Sequence, residues 1–333
     1  MRVMITGGTG FVGFHSAQAL LEAGHDVCLL VRSVDKAKKL YGKNTPDLVV
    51  GDITDANSVA EALQDCDALV HSAAMVSTDA KDADRVYNTN VNGAKTVINT
   101  ALEMSVESII HVSSVTALFN PDAEKLDGNS PPGNAQNAYG RSKVDCEKFV
   151  RRLQRGGAPI HISYPASVIG PDDPGLTEPH IGLQTYLSVF IPLMPGGNQF
   201  VDVRDVAAVH LRLLESDLPP GRYTLGGHYL SWPELARTLE RLTGRKLTKV
   251  PAAGFFMRGL GTVVDLLKRV KQVDVPMGYE AMVYATKWVR MDNSEVEEHL
   301  DFNFRPLDDS LIDTIRWLLE AGHITKKQAG YLA

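Results

Sequence analysis

A short apolar run, Val3-Met4-Ile5, passes without a break into Thr6-Gly7-Gly8-Thr9-Gly10-Phe11-Val12-Gly13, which carries four glycines in eight residues. An apolar run with no polar alternation suits a parallel strand buried on both faces. Beyond the glycines, Phe14, Ala17, Leu20 and Leu21 recur at helical spacing, and Gly24 closes that helix. Strand, tight turn and helix therefore follow one another. Such a turn points unpaired backbone N–H groups and the positive end of the helix dipole at one spot, and glycines without a Cβ let a phosphate approach. Two registers fit the letters: Gly8, Gly10 and Gly13, or Gly7, Gly10 and Gly13 with one more residue in the turn. Either pattern alone also describes a turn that only packs a helix on a strand.

The alternation continues. A second strand over 27–31 ends in Arg32, where a dinucleotide fold meets the adenosine ribose. An acid there accepts from the 2′-hydroxyl of NAD, whereas an Arg pairs with the 2′-phosphate of NADP. Arg32 favours NADP, and Asp35 is the acid that would favour NAD if the strand ended later. A third strand, 48–50, leads to Asp52 and Ile53 at the adenine position, with Asp52 or Asp55 alternatively capping a helix over 58–63. A fourth strand, 68–71, runs into Ser72-Ala73-Ala74, small residues against which a cofactor can lie, and its His71 reads as a core histidine. A helix over 84–104 follows, with an apolar stripe of Tyr87, Val91, Ala94, Ile98 and Ala101 and with Asn90 beside it. The fifth strand, 108–112, delivers Ser113-Ser114 at its carboxyl end, where open parallel sheets place ligands. Residues 120–138 read as loop.

Tyr139 and Lys143 then open a helix that runs to about 154, four apart and so on one face. A phenol with a reference pKa of about 10 is a poor base at neutral pH, but a neighbouring ammonium and a cationic nicotinamide both favour the phenolate. Tyr139 can then exchange a proton while Ser114 hydrogen-bonds the same substrate oxygen. By itself the Tyr/Lys spacing is common; its place after a glycine turn, five strand and helix alternations and a strand-end Ser gives it meaning.

Composition excludes several classes. The 333 residues are 44% apolar and 22% charged, ordinary for an ordered globular chain. A net charge of -6 argues against nucleic acid as the partner. Cys28, Cys66 and Cys146 lie far apart and lack metal-ligand spacing, which suits reduced thiols and no metal. With no signal peptide and no run of 18 apolar residues, a cytoplasmic protein without stable membrane insertion is expected.

With these residues together, the sequence resembles the extended short-chain dehydrogenase/reductase family, also called the NAD-dependent epimerase/dehydratase family, over roughly residues 1–245. The segments that carry the resemblance are the glycine stretch, Asp52-Ile53, His71-Ser72-Ala73-Ala74, Asn90-Val91-Asn92-Gly93, Ser113-Ser114, Tyr139-Gly140-Arg141-Ser142-Lys143, Pro165-Ala166-Ser167-Val168-Ile169-Gly170-Pro171 and Phe200-Val201-Asp202-Val203-Arg204-Asp205-Val206-Ala207. The resemblance implies a Rossmann-type doubly wound parallel sheet in an α/β fold, with a smaller, mainly helical C-terminal substrate lobe. It implies that Ser114, Tyr139 and Lys143 are catalytic, that Lys143 also holds the nicotinamide ribose and that Asn90 supports proton relay. It selects Gly7, Gly10 and Gly13 as the fingerprint. The implied cofactor contacts are Gly7, Thr9, Gly10, Phe11, Val12, Gly13, Arg32, Asp52, Ile53, Ala73, Ala74, Tyr139, Lys143, Pro165 and Val168. A homodimer pairing the helices of Asn90 and Tyr139 is implied as well. Three departures stand out: Tyr164 replaces the Arg often found before Pro165, Val115-Thr116 replaces the acidic pair of sugar-nucleotide dehydratases, and Asn198-Gln199 lacks the Arg of nucleotide-sugar epimerases.

A dinucleotide domain over 1–175, with 198–228 returning to it, and a substrate lobe over most of 176–333 follow. Helices are expected over 180–191, 252–271 and 307–321, a strand over 222–225, and a helix opened by Trp232-Pro233 with Ser231 as its cap. The 252–271 helix carries Phe255, Phe256, Leu260, Val263, Val264 and Leu267 with Arg258, Lys268, Arg269 and Lys271; it reads as a lid packed on its own lobe, or as a membrane-surface helix. The expected function is NADP(H)-dependent interconversion of a carbonyl and an alcohol on a small, largely apolar molecule, as in the dihydroflavonol-reductase and 3β-hydroxysteroid-dehydrogenase branches. The rivals are a nucleotide-sugar epimerase with retained NAD and a non-catalytic dinucleotide-binding redox sensor.

Overall fold

The structure, a computed structural model, describes residues 1–77, 80–270 and 278–333, without the side chains of residues 80 and 267–270. The strands are β1 (Arg2–Thr6), β2 (Asp26–Val31), β3 (Asp47–Val50), β4 (Ala68–His71), β5 (Ser108–Val112), β6 (Ile160–Pro165), β7 (Ser167–Ile169), β8 (Ile191–Leu193), β9 (Gly197–Asp202), β10 (Arg222–Leu225), β11 (His228–Ser231) and β12 (Lys249–Pro251). Seven of them form one parallel sheet in the order β10-β6-β5-β4-β1-β2-β3. The order reverses between β1 and β4, so a crevice opens at the carboxyl edge there.

The helices in chain order are α1 (Phe11–Glu22), α2 (Val34–Tyr41), α3 (Ala56–Ala62), α4 (Ala83–Tyr87), α5 (Gly93–Glu103), α6 (Ala138–Arg155), α7 (Glu178–Ser188), α8 (Val203–Glu215), α9 (Trp232–Thr243), α10 (Gly254–Val270), α11 (Tyr279–Thr286), α12 (Ser294–His299), α13 (Leu307–Glu320) and α14 (Lys326–Ala329). Alternation within β1 shows how the layers arise. Val3 and Ile5 join a core with Ala17 and Leu20 of α1 and Val206 and Val209 of α8, while Met4 faces Val97 and Ile98 of α5 and Val150 of α6 on the other side. A third core joins Leu183 and Leu187 of α7, Trp232 and Leu235 of α9 and Leu311 and Ile315 of α13 around the small β11-β9-β7 sheet.

Two expectations need correction, and two open readings gain detail. The helix expected over 84–104 is two helices joined by a π segment at Asn88–Asn92. The extra residue in that turn shifts the register, so Tyr87 leaves the buried stripe; it is 40% exposed and donates to Asp145 at 3.1 Å. The helix expected over 180–191 ends at Ser188, because Ile191 pairs with Lys249 in a short parallel ladder. Asp55, not Asp52, caps α3. On α10, Arg258 turns inward to Thr286 at 2.9 Å, leaving Phe255 (76% exposed), Phe256 (62%) and Leu266 (60%) on an outward apolar face that no described element covers; the side chains of Leu267, Lys268 and Arg269, and Lys271 altogether, lie outside the described residues. Among the described residues no helix is long and apolar enough to cross a membrane.

Candidate active site

At the turn after β1, Gly7 has a left-handed φ of +74°, and a Cβ there would lie 2.7 Å from the backbone nitrogen of Ala73. Gly10 is the N-cap of α1 and donates its N–H to the Gly7 carbonyl at 2.8 Å. Gly13, in the first turn of α1, sits so near that a Cβ would be 2.3 Å from the Gly7 oxygen. The turn is therefore closed around its own backbone, with the start of α1 at the crevice. Such a cradle fits a pyrophosphate. Gly13→Ala is expected to push α1 off β1, lowering stability by about 1–3 kcal/mol and weakening dinucleotide affinity, read by thermal denaturation and cofactor titration; native-like affinity would contradict this packing account.

One cleft of about 1190 Å³ runs from this turn along the sheet edge into the C-terminal lobe. It brings together Gly7, Thr9, Gly10, Phe11, Val12, Arg32, Asp52, Ile53, Ala73, Ala74, Ser114, Tyr139, Lys143, Pro165 and Val168. Gly13 and Asn90 are not on its wall. At the β2 end, Arg32 is joined by Lys36, which pattern reading missed; Ser33 caps α2 between them, accepting from the Lys36 N–H. Asp52 accepts from the Thr54 N–H at 2.9 Å and hydroxyl at 2.7 Å, and these bonds hold its carboxyl below the ordinary value, with Arg32 adding a smaller pull.

Midway along the cleft, Asn137 caps α6 by accepting from the Gly140 N–H at 2.7 Å, which fixes the first turn carrying Tyr139. Lys143 lies one turn on, its Nζ 6.0 Å from the Tyr139 ring centre and donating to the Val112 carbonyl at 3.3 Å. The Ser114 hydroxyl donates to Thr116 Oγ1 at 3.2 Å and accepts from the Thr116 N–H. Behind them His71 shares a 2.7 Å hydrogen bond with Thr6 and stacks on His111 at 5.6 Å. Burial, then the Lys143 charge, pushes His71 down to about 3, so it is a neutral core residue. Asn90 accepts from the Met75 N–H at 2.7 Å and donates to the Met75 carbonyl and to Ser142 Oγ, so its amide braces the strand-end segment that borders the cleft.

The model of the NAD dependent epimerase/dehydratase family matches residues 3–226. The chain belongs to that family. It is 29% identical to a putative dihydroflavonol 4-reductase of Synechocystis over 96% of this chain and 95% of that one. It is 26% identical to sterol demethylase protein B of Methylococcus capsulatus over 97% and 100%, and 26% identical to the UDP-glucose 4-epimerase of Yersinia enterocolitica over 74% and 84%. Among solved structures, that of gox2253 superposes with a TM-score of 0.84 at 29% identity, covering 97% of this chain and 99% of that one. The protein is thus an NAD(P)-dependent enzyme of the oxidoreductase and epimerase class.

Against this family background the departure at Tyr164 acquires a structural account. Its hydroxyl donates to Glu147 Oε1 at 2.6 Å, and Arg151 on α6 closes an ion pair with the same carboxylate. Arg151 also donates to the Ser130 carbonyl at 2.9 Å and to that of Gly128 at 3.3 Å. Ser113 donates to the other Glu147 oxygen at 3.2 Å. Neighbouring residues of a strand end face opposite ways, so Ser113 is anchored to α6 while Ser114 faces the cleft. Tyr164 faces this buried cluster, away from the cleft, and burial together with the Glu147 charge raises its hydroxyl well above the ordinary value.

Motif reading did not assemble the far wall of the cleft, although Phe200 lies in one of the matched segments. That wall includes Tyr186, Phe200, Trp232, Tyr284 and Trp288 from the C-terminal lobe. Tyr186 packs edge-on to Trp232 at 5.8 Å, burial pushing its hydroxyl up to about 12, and Tyr284 stacks on Phe119 at 3.9 Å. Among the described residues, none of those lining the cleft beyond Tyr164 in the chain is Lys or Arg.

Proposed function

We propose that this enzyme is an NADP(H)-dependent oxidoreductase that interconverts a carbonyl and an alcohol on a small, largely apolar substrate. The observation that carries the reading is the polarity of the cleft: Arg32 and Lys36 at one end, an aromatic wall without Lys or Arg among the described residues at the other. A substrate bearing a diphosphate finds no Lys or Arg on that wall among the described residues, Arg85 being the further cation that lines the cleft besides Lys143, whereas an apolar carbonyl compound matches the wall. When bound, the nicotinamide supplies or accepts the hydride. Gly7, Gly10 and the first turn of α1 would hold the pyrophosphate, and Arg32 with Lys36 the 2′-phosphate. Tyr139 exchanges a proton with the substrate oxygen, and Lys143 places positive charge beside it. Ser114 hydrogen-bonds that oxygen, exchanging its 3.2 Å bond to Thr116 for a charge-assisted one as charge develops. Asn90 acts at one remove, as a positioning residue.

Titration with NADPH and NADH separately, followed by turnover of a carbonyl panel with the tighter binder, tests the proposal. NAD copurifying with the protein, together with turnover of a UDP-sugar without added cofactor, would establish epimerisation instead. Arg32→Asp is expected to lower the preference for NADPH over NADH by about ten- to a hundredfold, since it removes a charged hydrogen bond and adds a repelling carboxylate. An unchanged ratio would show that Arg32 does not touch the ribose phosphate. We further propose a homodimer, checked by sedimentation.

A further inference from the structure

Helix α7 begins with Glu178 on the aromatic half of the cleft. The backbone that presents it is held from several sides. Asp173 accepts from the Gly175 N–H at 2.9 Å and the Thr177 N–H at 2.6 Å and pairs with His180 at 2.9 Å, while the far nitrogen of His180 meets the Gly170 carbonyl at 2.8 Å. Within this braced loop Leu176 is held at a φ of +47°, a conformation that a non-glycine residue keeps only where its surroundings enforce it. The Glu178 side chain makes no hydrogen bond or ion pair among the described residues, although Asp173, Thr177 and His180 beside it are bonded. Its side chain opens to solvent through the cleft mouth, yet surrounding protein displaces enough water to raise its carboxyl above the ordinary value. A favourable place in the first turn of a helix accounts for an acid there, and the same residue lines the cleft whose walls include Tyr186 and Trp232.

We infer that Glu178 is a specificity-determining residue that accepts a hydrogen bond from a hydroxyl on the part of the substrate remote from the carbonyl, and that it excludes substrates with an anionic group there. This rests on the carbonyl-reductase reading and narrows it to neutral, hydroxyl-bearing apolar carbonyl compounds. A carboxylate on a cleft wall is favoured by a donor and disfavoured beside a second negative charge.

Trp232 and Trp288 line the same cleft and give a binding readout independent of turnover. The experiment measures quenching of their fluorescence in the cofactor-saturated protein by benzylacetone and by its para-hydroxy and para-carboxy derivatives. The para-hydroxy ketone is expected to bind at least about tenfold more tightly than the para-carboxy ketone. Glu178→Gln keeps an acceptor but removes the charge, and should improve para-carboxy binding by about tenfold. Glu178→Leu should erase the advantage of the para-hydroxy ketone over benzylacetone itself. A para-hydroxy to para-carboxy ratio that stays within twofold of wild type in Glu178→Gln, with an unchanged melting temperature, overturns the inference. Reduction of the ketones by NADPH without that change of ratio overturns this inference alone, and the change of ratio without any reduction overturns the reductase reading alone. Binding of none of the three overturns both.

Discussion

Tyr139→Phe is expected to lower kcat by about 10²–10⁴-fold while leaving dinucleotide affinity near wild type. The substitution removes one oxygen from the first turn of α6, whose cap at Asn137 and whose Lys143 are untouched. Proton exchange with the substrate oxygen is then left to Ser114 and solvent. Steady-state turnover and a separate cofactor titration test this, and the contrast between them is what matters. A kcat within tenfold of wild type would remove Tyr139 from the chemistry, whereas parallel loss of cofactor binding would indicate a distorted helix.

The largest effect on stability is expected from Arg151→Met, at about 3–5 kcal/mol, measured by chemical denaturation. Glu147 is fully buried, and removal of the guanidinium leaves its charge with only the hydroxyls of Tyr164 and Ser113. The carbonyls of Gly128 and Ser130 lose their donor in the same step. Glu147→Leu added to Arg151→Met should recover part of the loss, because it removes the stranded charge. A loss below about 1 kcal/mol in the single variant would mean that water replaces the guanidinium.

The nucleotide half of the fold was legible because its signals are local. Strand β1, the glycine turn and α1 are contiguous in sequence, and so are Tyr139 and Lys143, which need only helical spacing to share a face. Ser114 could be placed because a parallel strand ends where its apolar run ends. Lys36 was within reach of the same reasoning, one turn past Arg32, but its solvated neighbours Lys38 and Lys39 made it look like ordinary surface charge. The aromatic wall was not legible: Tyr186, Trp232 and Trp288 come from three helical or loop segments spread over a hundred residues, and only tertiary packing makes them neighbours. Glu178 carried no motif. Val189-Phe190-Ile191 read as the end of a helix because an apolar run does not announce a change of element; the ladder between β8 and β12 decides it from outside.

The π segment at Asn88–Asn92 bears on how this family can gain or lose residues. Each residue of an α-helix advances the chain by about 100° around the axis. A deletion inside the segment would let α4 and α5 run together as one regular helix, but it would rotate everything on one side of the cut by that angle relative to the other. Either Asn90 would swing away from Met75, or the buried side chains of Val97 and Ile98 would leave the sheet. This stretch is therefore closed to length change, and alignments of relatives should place their gaps outside it.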